Sequence, residues 1–272
     1  MTSPPRTILL GTQGWNYDAW VGALYPSGTR QADFLATYTR AFDTVEVDST
    51  FYAIPPEKTV LGWAERTPPH FRFSLKLPQE ITHERKLRDA EELTALFFDR
   101  IRALGDKLGP VLVQLGPDFA PTELDALAAF LPTLPRDVRI AVEFRQRRWI
   151  TDAVLTLLAD HGIALALSDG RWIPRSVMLG LVAQPTADFH YVRWMGPDRD
   201  VVDYSKIQYD RSRELEAWAE ALAQSPKSVT RVYGYVNNHF SGHSPESVRE
   251  LQRLLGQQPV EPEDLAEQIS LF

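Results

Sequence analysis

Two glutamates sit where chemistry is most easily done. Glu46 lies in Val45-Glu46-Val47 and alternates with apolar neighbours, so its carboxylate faces away from theirs. Glu143, in Val142-Glu143-Phe144, shares a strand face with Arg145, two residues on. A carboxylate set in an apolar run needs a nearby cation, because an unpaired buried charge is costly. For Glu46 that cation is expected to be Lys76, at the end of Phe71-Arg72-Phe73-Ser74-Leu75-Lys76. Two readings stay open. The charges form internal ion pairs that only hold the fold, or Glu46 and Glu143 are an acid–base pair like that of glycosidases. In the second reading Lys76 and Arg145 keep one carboxylate ionised while the other carries a proton. The same cations suit a phosphate or carboxylate on a substrate.

Other polar residues are expected beside them. His83, in Ile81-Thr82-His83, is a candidate proton carrier or an incidental loop histidine. Asp48, Gln114, Asp169 and Arg193 offer hydrogen bonds or charge to a ligand, and Asn237-Asn238 either binds ligand or makes a turn. Trp15, Tyr52 and Trp149 either stack on a flat ligand or fill the rim. The six histidines form no ligand pair at the end of a strand; His239 and His243 are spaced by four but span a loop. No cofactor is therefore expected; a catalytic metal stays open as an alternative that the ligand spacing does not support. The absence of cysteine excludes disulfides, thiolate metal sites and cysteine nucleophiles.

The elements that must position these groups read as eight β-rich runs: 7–11, 44–48, 71–76, 111–115, 139–144, 163–168, 189–193 and 231–235. Several are unbroken apolar runs, as in strands covered on both faces. Helical spacing lies between them, in Leu93, Leu96, Phe97, Ile101 and Leu104, and in Leu215, Trp218 and Leu222. Ser244-Pro245 starts a helix with the stripe Val248, Leu251 and Leu255, which Gly256 ends. No helical period is convincing between Asp169 and Asp188, so an irregular loop is expected in place of the sixth helix. Alternating strands and helices predict an α/β fold, a (β/α)8 barrel of the TIM type, and 272 residues suit one such barrel. The rival open sheet lacks a Gly-x-Gly-x-x-Gly after the first strand. Working residues of such barrels sit where strands end, which is where the polar residues above fall.

A net charge of −7 argues against sequence-blind wrapping of nucleic acid, though Arg85, Lys86 and Arg88, and Arg145, Arg147 and Arg148, form local basic clusters or solvated faces. No signal-peptide core or membrane-length apolar run is present, so the chain is expected to be cytoplasmic and without membrane contact. Residues 1–256 are assigned to the barrel and 257–272 to a linker and tail.

Gly11-Thr12-Gln13-Gly14-Trp15 and Val45-Glu46-Val47-Asp48-Ser49-Thr50-Phe51-Tyr52-Ala53-Ile54-Pro55 resemble the opening of the YecE-like family, domain of unknown function 72. The blocks at 71–76 with 81–83, 112–115, 142–145 and 233–238 are similar to its later ones, so the resemblance runs from about Leu10 to Leu255. It implies a triose-phosphate-isomerase-type barrel, loosely similar to sugar isomerases and apurinic-site endonucleases, and no particular reaction. Asp48 stands where the family commonly has Asn, and Gln146 where it often has His. A mechanism that needs that histidine has no such group at position 146 in this chain.

Gln268-Ile269-Ser270-Leu271-Phe272 resembles the peptide by which bacterial replication and repair proteins hold the sliding clamp. A frayed end or a strand tucked into the chain's own core is the plainer reading. Together these features point to a hydrolase acting on a small anionic, phosphate-bearing or nucleic-acid-derived substrate and tethered to the clamp. A non-catalytic ligand-binding adaptor and a metal-free glycosidase-like enzyme are the alternatives.

Overall fold

The computed structural model describes residues 6–197 and 200–267. Eight parallel strands close in sequence order: β1 Thr7–Gln13, β2 Thr44–Val47, β3 Arg72–Lys76, β4 Leu108–Gln114, β5 Ile140–Glu143, β6 Ala164–Gly170, β7 Phe189–Gly196 and β8 Arg231–Val236. β1 pairs with both β2 and β8, so no sheet edge remains. All eight expected runs are strands, and the (β/α)8 TIM-type barrel stands. The helices are α1 Phe34–Tyr38, α2 Glu57–Glu65, α3 Glu91–Ile101, α4 Leu124–Phe130, α5 Asp152–Asp160, α6 Arg175–Leu181, α7 Ser212–Ala223, α8 Asn238–Ser241, α9 Ser244–Leu254 and α10 Pro262–Glu267. None among the described residues is long and apolar enough to cross a membrane.

The period of two sorts each strand into an outer face under the helices and an inner face lining the barrel. Val45, Val47, Phe73, Val111, Val113 and Val142 join the large outer core, into which α7 drives Leu215, Trp218 and Leu222. The inner face holds a separate cluster that includes Leu112, Ala141, Ala166, Phe189, Tyr191, Tyr233 and Tyr235. Gly11 on β1 is required by closure: a Cβ there would fall 2.0 Å from the Thr44 carbonyl oxygen.

Three expectations are corrected. A short α6 occupies the sixth crossover; it is one seven-residue helix, too brief for its buried Met178 and Leu181 to show a period. At α9 the capping position is His243 and not Ser244, and the Asn238 side chain takes the helix's first donors, accepting from Ser244 N at 3.1 Å and Ser244 Oγ at 2.8 Å. The stretch 257–262 is no free linker. Gln257 donates to the Ile8 carbonyl at 2.9 Å, Glu261 pairs with Arg253 at 2.5 Å, and Arg40 donates to the Leu265 carbonyl at 2.9 Å. Leu265 itself is buried.

His190 and His243 are buried, and burial holds each pKa down to about 4. The unfolded value is near 6.5, so the stability they contribute is whole above that pH and is lost as pH falls towards 4. The loss should reach at most about 3 kcal/mol for each group. Urea unfolding of His190→Leu at pH 7 and pH 4.5 checks this: the variant should lose less stability than wild type across the interval, and an equal loss would rule His190 out as a cause.

Candidate functional site

Arg193 projects into the barrel from β7 between Ser168 and Tyr235 in register, and it is almost wholly buried. Its Nε and Nη2 donate to Glu46 Oε2 and Oε1 at 2.9 and 2.7 Å, a two-point fork. Its Nη1 donates to Glu143 Oε2 at 2.6 Å and to Gln114 Oε1 at 3.1 Å. Tyr191, one inward position earlier on β7, donates its hydroxyl to Glu46 Oε2 at 2.6 Å. One guanidinium thus joins β7 to β2, β4 and β5. The partner of Glu46 is therefore Arg193 and not the expected Lys76, whose ammonium lies 3.2 Å from Asp48 and 4.4 Å from the centre of the Phe51 ring. Arg145 approaches Glu143 Oε1 at 3.6 Å.

The two carboxyls differ. Burial pushes the Glu46 carboxyl above the usual range, and Arg193 offsets this only in part. Burial acts the same way on Glu143, but Arg193 and Arg145 outweigh it and hold its carboxyl low. Glu143 also borders a small cleft with Arg145, Trp172, Met195 and Asn237; its volume of about 30 Å³ is room for a water molecule or two. Glu46 is sealed beneath Arg193.

His83 stands on a π-helical turn, Glu80–Glu84, with its ring edge-on to Phe51 at 5.0 Å. Its Nδ1 lies 2.9 Å from Thr82 Oγ1, which stands 3.2 Å from the Pro78 carbonyl oxygen. With the Thr82 proton on the Pro78 carbonyl the imidazole donates from Nδ1 and Nε2 is a lone-pair site; with that proton on Nδ1 the tautomer is reversed. Burial, then the charges of Arg145 and Lys76, lower the His83 pKa and keep it neutral. Gly116, after β4, permits this placement, since a Cβ there would come within 3.1 Å of the ring.

Not every expected residue reaches the mouth. Trp149 is buried in a stack between Phe119 and Phe144 and donates its indole N–H to the Phe119 carbonyl at 2.7 Å. Trp15 packs edge-on against Trp63 and Phe73. Asp169 is an outward residue of β6, accepting from Arg175 Nε at 2.6 Å and Trp218 Nε1 at 2.7 Å, so it ties helices to the barrel. Asn238 caps α9, whereas Asn237 donates to Gln13 Oε1 at 2.8 Å and lines the cleft. Tyr52 stands 73% exposed at the rim. Trp172 was not anticipated: it is partly exposed, with Arg171 and Arg145 at 4.5 and 5.5 Å from its ring centre. Tyr191 was missed too, although its spacing of two from Arg193 was readable. The residues of the basic clusters are partly spoken for, with Arg85 on Glu80, Lys86 on Asp118 and Arg88 on Glu123. Among the described residues, no group of three or more His, Asp or Glu could hold a metal ion.

A closed (β/α)8 barrel whose interior charges gather at the carboxyl ends of its strands defines the class, and comparison defines the family. Residues 9–269 match the family described as "Protein of unknown function DUF72", and the chain belongs to it. It is 29% identical over 264 residues to the UPF0759 protein YecE of Escherichia coli K12, covering 90% of this chain and 91% of that one. It is 25% identical over 271 residues to the UPF0759 protein YunF of Bacillus subtilis 168, covering 91% and 94%. The crystal structure of a DUF72 family protein from Thermotoga maritima superposes with a TM-score of 0.77 at 24% identity, over 92% of this chain and all of that one. One from Enterococcus faecalis gives 0.73 at 21%, over 93% and 99%. These solved structures share the fold.

Removing the guanidinium leaves two buried carboxylates facing each other. Arg193→Met should cost about 3–5 kcal/mol at pH 7. The deficit should shrink at pH 5, where the carboxyls can take protons. Urea titrations at both pH values measure it; a deficit independent of pH would mean that Arg193 does not serve to neutralise Glu46 and Glu143.

Proposed function

We propose that the mouth formed by His83, Lys76, Glu143 and Arg145 hydrolyses a small phosphate-bearing or nucleic-acid-derived substrate. The carrying observation is an imidazole at the mouth that burial and the neighbouring cations Arg145 and Lys76 keep neutral. Such an imidazole takes a proton from an attacking water and returns it to the leaving oxygen. Lys76 and Arg145 stabilise the charge that grows on the phosphoryl oxygens, and Trp172 offers a ring face for a base. Glu143, held ionised, orients Arg145. Glu46 acts through Arg193 and does not touch substrate.

The paired-glutamate alternative fares worse. Two carboxyls that flank a glycosidic bond need the substrate between them, and here a guanidinium occupies that place.

The test is turnover of a panel of nucleotides, phosphomonoesters and short oligonucleotides. His83→Gln should lower kcat by about 10²–10⁴-fold and leave the melting temperature unchanged. The acid limb of the wild-type pH profile should lie below the ordinary imidazole value of about 6.5 and vanish in the variant. Saturable binding across the panel with no turnover would favour the adaptor reading instead.

The pentapeptide Gln268–Phe272 lies outside the described residues. The clamp tether is retained in this proposal on its sequence alone, with Ile269, Leu271 and Phe272 as apolar anchors and Gln268 as a hydrogen-bonding group. A bacterial sliding clamp titrated with the full chain should show a Kd of about 1 μM, near −8 kcal/mol. A chain ending at Glu267 should not bind; equal binding by both, or none by either, removes the clamp from the reading.

A further inference from the structure

The opposite end of the barrel carries a second concentration of charge. Arg72, Arg139 and Arg231 stand at or just before the first residues of β3, β5 and β8. Each has the inward parity of its strand, two residues before Ser74, Ala141 and Tyr233. All three line one cavity of about 540 Å³ at the amino-terminal face, within the size range of small-ligand sites. Gly109 of β4 lies in the cavity wall, where glycine is needed for the close approach to β3, since a Cβ there would fall 2.9 Å from the Phe73 carbonyl oxygen.

These arginines are poorly neutralised from within the chain. Arg231 makes one long contact, 3.4 Å to the Tyr233 hydroxyl, and Arg72 uses only Nη1, on the Pro69 and Phe71 carbonyls at 3.0 Å. Among the described residues no carboxylate lies within ion-pair distance of either. Arg139 meets Asp188 at 3.7 Å, and its Nε is buried without a partner. A fourth lining arginine, Arg102, is matched by Asp137 at 3.0 Å, and Asp106 stands exposed on the lip. Guanidinium groups gathered around one space with unused donors repel each other and lack hydrogen bonds. An oxyanion supplies both needs, and the planar fork fits phosphate.

We infer that this floor cavity is a binding site for a small polyphosphate anion of the pyrophosphate type, separate from the mouth. The space suits more than one phosphoryl group, and three forks are matched better by the six terminal oxygens of pyrophosphate than by the four of phosphate.

Calorimetric titration of the full chain with pyrophosphate, and separately with inorganic phosphate, tests it. Pyrophosphate should bind at one site per chain, more tightly than phosphate, and raise the melting temperature. Arg72→Gln with Arg231→Gln should weaken it by roughly 100-fold, about tenfold for each arginine. The exposed Arg213→Gln on α7 and Lys76→Gln at the mouth should leave the affinity unchanged. Without ligand, the double variant should melt at or above the wild-type temperature, since like charges have been removed; a purely structural role would lower it. Should the double variant not fold, Arg231→Lys keeps the charge without the fork and should lose several-fold in affinity. No saturable binding to wild type, unchanged affinity in the arginine variants, or loss in Lys76→Gln overturns the assignment. The last outcome would place the anion at the mouth and leave the hydrolase reading standing.

Discussion

The barrel is organised around a charge that it cannot leave unpaired. Arg193 enters a space closed to water, where an isolated ion costs many kcal/mol, and it is tolerated only because carboxylates meet it with good geometry. The fork on Glu46 and the single bond to Glu143 make that match directional, so β7, β2 and β5 are held in one arrangement. Packing of Ala, Leu and Tyr side chains alone would tolerate small slips of these strands. A short charged bond tolerates very little. Such a cluster is a weak source of net stability and a strong constraint on position. That constraint is what a site at the strand ends requires.

Its electrostatic consequence is an unequal pair. One cation against two carboxylates leaves a surplus of negative charge, and burial assigns the difficulty to Glu46, the deeper group. Glu143 has Arg145 as a second cation and stays ionised beside the cleft. The mouth therefore holds an ionised carboxylate, two cations and a neutral imidazole, while the difficult proton equilibrium stays buried at Glu46. Tyr191, whose own ionisation is pushed far up by burial and by Glu46, remains a donor to Glu46 throughout.

Much of this was legible in the sequence. The eight strands follow from β-rich apolar runs, and the parity of Glu46, Gln114 and Glu143 follows from alternation with Val, Leu and Phe neighbours. What was not legible depends on the third dimension. Arg193 was read as a ligand contact because its partners are 147 and 50 residues away and no local pattern links them. Trp149 and Asp169 follow strand ends as site residues do, yet their side chains turn outward under the helices. Asp169 betrays this through parity, since Ser168 is the inward residue of that step and pairs with Arg193. Trp172 escaped because β6 continues through Gly170, two residues beyond the predicted end, which carries the following loop to the mouth.

The same parity that gathers carboxylates at one end gathers arginines at the other. On β3 the inward residues run Arg72, Ser74, Lys76; on β5 and just before it they run Arg139, Ala141, Glu143; on β8 they run Arg231, Tyr233, Tyr235. Between the two charged layers lies a neutral one, where the Tyr235 hydroxyl bonds Ser74 and Thr44 at 2.5 and 2.9 Å and Tyr191 stacks at a tilt on Tyr235. The Tyr235, Ser74 and Thr44 hydroxyls of this layer bond one another, the Tyr191 hydroxyl reaches up to Glu46, and the layer carries no ion. A low-dielectric layer would strengthen any Coulomb coupling across it, but each charged layer is largely screened, the upper by its internal pairing and the lower by open solvent. In the proposed reading the floor arginines take an anion without disturbing the protonation of Glu46 and Glu143, and one strand set carries paired charges at one end and poorly neutralised arginines at the other.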